Sequence, residues 1–65
     1  NDRFERVCEF AEQLIVQEDM GTDIDLTEIL NTAQKETGET LEPSDLSSAV
    51  MWLDYFCADQ GFYTK

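Results

Sequence analysis

Carboxylates dominate the reactive groups of this chain, and their spacing is the first thing to test for chemistry. Asp19, Asp23, Asp25 and Glu28 crowd around Gly21, which invites a calcium loop. An EF-hand loop needs oxygen ligands at its first, third and fifth positions, Gly at the sixth and a bidentate Glu at the twelfth. With Gly21 placed sixth, Val16 falls first, so the pattern fails and a solvated acidic turn is expected. Zinc wants four ligands of Cys, His or carboxylate type. The chain offers only Cys8 and Cys57 as thiols and no His, so no metal site is expected. Nucleophilic catalysis needs a nucleophile beside a base. Ser44, Ser47 and Ser48 have no such partner in the sequence, and there is no Gly-rich phosphate loop. Glu5 and Glu9 could in principle do acid–base work, but that chemistry wants a pocket that separates their pKa values, and their ridge should be open to water. The expected reading is non-enzymatic, with no cofactor.

Two groups of residues remain after these tests. Met51 and Tyr55 stand one helical turn apart, roughly opposite the Leu46, Val50, Leu53 and Cys57 side of the same stretch, with Trp52 on the flank. A helix that is apolar on two sides is either buried on both or offers the second side to a partner. Aromatic residues and Met are enriched at interfaces. The bland alternative is that a neighbouring helix and Phe62–Tyr63 cover that side. The second group is Glu5, Glu9 and Glu12, a narrow acidic ridge beside an apolar stripe. These six residues form the candidate partner-binding set.

Pro43 to Tyr63 holds the only Trp, both Tyr and two of the four Phe, so the core is expected to build against it. Leu46, Ala49, Val50, Leu53, Phe56 and Cys57 fall on one side of that helix. Residues 3–17 repeat Phe4, Val7, Cys8, Ala11, Leu14 and Ile15 at helical spacing, with Phe10 at the border. A continued helix would point Glu18 back toward the core, and Gly21 follows soon after, so the helix is expected to end near Gln17 to Asp19. After a connection from Met20 to Ile24, Asp25 reads as an N-cap, with Glu28 three residues on and Ile24 and Ile29 at staple spacing. Leu26, Ile29, Leu30 and Ala33 form the second stripe, and Gly38 is a stop. Pro43 suits a first helical turn, capped by Glu42 or Ser44. Gly61 ends the third helix, and Phe62 and Tyr63 fold back or lie extended. The fold class is therefore all-α: a compact three-helix bundle in one small domain, with helices near 3–18, 25–37 and 44–60.

The 65 residues carry 15 acidic and 4 basic side chains, a formal net charge of −11 at pH 7. Solubility alone asks for a magnitude of about 2–8 in a small domain. A field of this sign repels nucleic-acid phosphates and anionic lipid and attracts basic protein surfaces. No run of about 18 apolar residues exists to span a membrane. No secretory signal is visible in the opening Asn-Asp-Arg-Phe-Glu-Arg, and the chain does not begin with Met. Cys8 and Cys57 are expected as reduced core thiols in a cytoplasmic protein. In size and charge the chain resembles the small acidic inhibitors encoded by phages and mobile elements, some of which imitate DNA; that likeness is one of composition.

The leading expectation is thus an acidic protein-interaction module, an inhibitor or regulator whose partner has a basic surface, such as a nucleic-acid-handling enzyme. An obligate homodimer or structural subunit, packed through the Met51–Tyr55 side, is the alternative. Three helices followed by Gly-Phe-Tyr-Thr-Lys are also similar to the start of a winged-helix domain. The charge weighs against that reading, because Arg3, Arg6, Lys35 and Lys65 are scattered and phosphate contacts from Lys and Arg supply most non-specific DNA affinity.

Overall fold

The computed structural model describes residues 2–18 and 22–65. Asp19, Met20 and Gly21, which carry part of the acidic turn and of the first connection, lie outside the described residues. Three helices form: α1 Arg3–Gln17, α2 Leu26–Thr37 and α3 Pro43–Gln60. Among the described residues no strand forms beyond one isolated parallel bridge between Ile24 and Thr64. The expected all-α three-helix bundle is what the chain builds.

Each helix begins where its sequence supplies a cap. Asp2, extended at φ −104°, accepts the Glu5 amide at 3.0 Å and starts α1. The sequence reading did not identify this cap, although Asp2 followed by Glu5 is the same Asp-x-x-Glu pattern as Asp25 and Glu28. Asp25 accepts the Glu28 amide at 3.3 Å, and Ile24 and Ile29 on either side are both buried, as a staple requires. For α3 the choice between the two caps falls to Glu42. Its carbonyl accepts the Leu46 amide at 2.9 Å, its side chain makes no capping bond, and Pro43 opens the helix. Ser44 sits inside the first turn.

The stops follow the glycines. Gly38 has φ +75°, and its amide reaches the Gln34 carbonyl at 2.9 Å. Gly61 has φ +78°; its amide bonds Ala58 and the Phe62 amide bonds Cys57. That pair of bonds is a Schellman motif, and it turns Phe62 back onto the core. The chain then runs extended beside Ile24: the Ile24 amide donates to the Tyr63 carbonyl at 3.2 Å, and the Lys65 amide to the Ile24 carbonyl at 2.8 Å. α1 ends at Gln17, within the range its sequence predicts: Glu18 is the exposed cap, its amide bonds the Leu14 carbonyl, and it avoids the inward position that continued periodicity would impose.

The core joins Val7, Cys8, Ala11 and Ile15 of α1 to Leu26, Ile29, Leu30 and Ala33 of α2 and Ala49, Leu53 and Cys57 of α3. Ile24 and Leu41 close it from the connections. Phe4, Phe10, Leu14, Leu46, Val50, Trp52, Phe56 and Phe62 are half-buried around it. The α2–α3 connection is held by side chains. Gln34 accepts the Leu41 amide at 2.8 Å, and Arg6 Nη2 meets Glu39 Oε2 at 2.7 Å.

α1 and α3 run in the same sense. Asp2 to Phe4 share a recess with Asp45 and Ser48 near the start of α3, while Val16 and Gln17 share another with Phe56 near its end. This alignment brings Glu12 of the acidic group beside Trp52 and Tyr55 of the aromatic group.

Candidate functional site: the α1–α3 face

On α3 the core-facing residues Ala49, Leu53 and Cys57 are buried, while Met51 is 61% and Tyr55 74% exposed. The bland alternative therefore fails. The tail lies along Ile24, with Phe62 tucked in and Tyr63 itself 69% exposed, and it leaves the Met51–Tyr55 side open.

Trp52 is held between two residues of α1. Its indole N–H donates to Glu12 Oε2 at 2.7 Å, and its ring meets Phe4 edge-on at 5.6 Å between centroids and 75° between planes. Both members of the hydrogen-bonded pair are half-buried. Glu12 thus has an intramolecular task as well as a charge. Glu5 and Glu9 are exposed. Helical spacing sets Glu5, Glu9 and Glu12 on the flank of α1 turned to α3, because Glu12 is the member that meets Trp52.

Two shallow clefts lie along this seam and share Glu12 and Phe56. One is lined by Glu12, Trp52, Tyr55, Phe56 and Asp59, the other by Glu12, Gln13, Val16, Gln17 and Phe56. Three of these residues are additions to the sequence reading. Phe56 packs against the core as its periodicity predicts, and its remaining surface lines both clefts. Val16 is 53% exposed and stands one turn beyond Glu12, an apolar residue on an otherwise acidic ridge. Asp59 stands one turn beyond Tyr55. The i, i+4 spacing would have found both.

No Lys or Arg lines either cleft. Arg6 and Arg3 are turned to the connection instead: Arg6 pairs with Glu39, and Arg3 lies 4.0 Å from Glu39 and donates to the Thr40 carbonyl at 3.2 Å. The face is therefore apolar, aromatic and negatively charged.

The other reactive groups are occupied or suppressed. Cys8 and Cys57 are buried free thiols. Burial, with Glu12, Asp2 and Glu9 adding repulsion, pushes Cys8 up to about 11. Burial and then Asp54 raise Cys57. The thiolate is the reactive form, so both are poor nucleophiles at neutral pH. Ser47 and Ser48 hydroxyls bond back to the Pro43 and Ser44 carbonyls at 3.4 and 3.3 Å. Among the described residues no group of three or more His, Cys, Asp or Glu is placed to hold a metal ion, and no helix is long and apolar enough to cross a membrane. Comparison of the chain with protein-family models, curated proteins and solved structures finds no match.

Proposed function

We propose that this chain is a non-enzymatic interaction module that docks on a basic protein surface through its α1–α3 face. The observation that carries the reading is the uncovered Met51–Tyr55 side of a helix whose other side builds the core, set beside carboxylates with no cation in the clefts. Exposed aromatic surface of this kind is where interface energy concentrates, and the surrounding charge selects and steers the partner. A nucleic-acid-handling enzyme is a natural source of such a partner, since it already presents Lys and Arg to phosphate. In that case the module acts as an inhibitor or regulator, and imitation of DNA charge is one form of the mechanism. Self-association through the same strip must bring two copies of a −11 chain together, which opposes it at low ionic strength.

Affinity capture from the native host's lysate at low and high salt tests the proposal, with wild-type and Tyr55→Ala baits compared. The expected result is a basic protein held at low salt, released at high salt and depleted on the Tyr55→Ala bait. Captured proteins that ignore both salt and the substitution contradict it.

A further inference from the structure

Resting on that reading, we infer that the cleft formed by Glu12, Trp52, Tyr55, Phe56 and Asp59 is the seat of a single arginine side chain from the partner. The lining combines what a guanidinium recognises. Tyr55 and Trp52 supply aromatic rings from positions three residues apart on α3, and Phe56 forms the apolar floor against which the methylene stem can lie. Glu12 comes from α1 and Asp59 from the turn of α3 beyond Tyr55, so carboxylates enter from both helices. A carboxylate offers about four lone-pair sites, and the Trp52 indole uses one of those of Glu12. The rest can take the guanidinium fork.

The arrangement is also pre-organised. The indole N–H bond to Glu12 at 2.7 Å and the edge contact with Phe4 fix the Trp52 ring before any partner arrives. Little order must then be imposed on that ring on binding. A compact ammonium is strongly hydrated and cannot stack, whereas a planar guanidinium can stack and make two parallel bonds, so arginine is the fitting occupant.

The test is a titration of the isotope-labelled protein with N-acetyl-Gly-Arg-Gly-amide, followed through backbone amides and the indole N–H signal. Trp52 is the only Trp, so that signal is unambiguous. The lysine and the uncharged citrulline peptides are run beside it. The expected result is saturable displacement of the Trp52 indole and of residues 55–59 by the arginine peptide, with weaker binding of both controls. Tyr55→Ala should weaken binding by about two- to fivefold and Tyr55→Phe should restore it. Asp59→Asn should weaken it comparably.

Saturable shifts confined to other acidic surfaces, such as Glu28 and Glu36, overturn the cleft while leaving the docking proposal standing. Equal binding of the citrulline or lysine peptide overturns the guanidinium assignment. Indole shifts on changing protein concentration alone put a second copy in the cleft and overturn it too. No saturable binding of any peptide, together with salt-indifferent capture in the lysate, removes both proposals.

Discussion

The bond between Trp52 and Glu12 joins the two helices that carry the proposed face, and its strength can be isolated. A net hydrogen bond to a charged group is worth about 1.5–3 kcal/mol when well buried. Both partners are half-buried, so water competes, and about 1 kcal/mol of coupling is expected. Trp52→Phe removes the donor while keeping a ring near Phe4, and Glu12→Ala removes the acceptor. Each variant and the double variant are melted by urea, with unfolding followed by far-UV circular dichroism so that loss of the indole does not blind the assay. In a domain of 65 residues, 1 kcal/mol moves Tm by about 4–8 °C, well within reach of a parallel thermal scan. The double variant should be less destabilised than the sum of the singles by about 1 kcal/mol. The coupling should also persist in high salt, because it is a direct bond and not a long-range attraction through solvent. Additive single effects, within about 0.3 kcal/mol, would refute the claim that this bond fastens α1 to α3.

Two further perturbations address the core. Leu53 is fully buried at the centre of α3, and Leu53→Ala should cost about 2–5 kcal/mol. Set against a total stability of about 5 kcal/mol, this leaves the variant largely unfolded, and an unchanged cooperative transition would contradict the packing described. Cys8 is raised from 9.0 to about 11, so between those values the folded chain holds a proton that the unfolded chain has lost. Its contribution is complete below pH 9.0 and declines as pH rises toward 11, by about 2–3 kcal/mol in all. The urea midpoint should fall less across that range in Cys8→Ala than in the wild type, and a thiol reagent should label native Cys8 and Cys57 only slowly. Immediate stoichiometric labelling at neutral pH would show that the thiols are accessible.

Much of the fold is legible in local sequence, because its signals are local. The stripes of α1 and α2, the Asp25 cap and the glycines that permit a positive φ each act within a turn or two. What resisted reading depends on how the helices meet. Nothing in the neighbourhood of Glu12 marks it as the acceptor for an indole forty residues away in the chain. Phe56 packs against the core as periodicity predicts, but its place in both clefts depends on how α1 and α3 meet. The exposure of Met51 and Tyr55 was undecidable from α3 alone, since either a neighbour or the tail could have covered them. The path of Phe62 to Lys65 along Ile24 settles it. The bond between Trp52 and Glu12 also fixes how charge variants should be chosen, because reversing Glu12 would break that internal bond as well as change the surface charge.

The central claim is that charge governs encounter and the aromatic strip governs how long the complex lasts. Its most direct measurement is binding kinetics against the captured basic partner across a salt series, with each variant first shown to be folded. The wild-type association rate should fall with added salt. Reversing Glu5 and Glu9 together should slow association and flatten that salt dependence with little change in dissociation. Tyr55→Ala should leave association nearly intact and speed dissociation by about tenfold, the equivalent of 1.4 kcal/mol. Affinity indifferent to salt and unchanged by Tyr55→Ala would contradict both halves of the mechanism, leaving the acidic surface with no role beyond solubility.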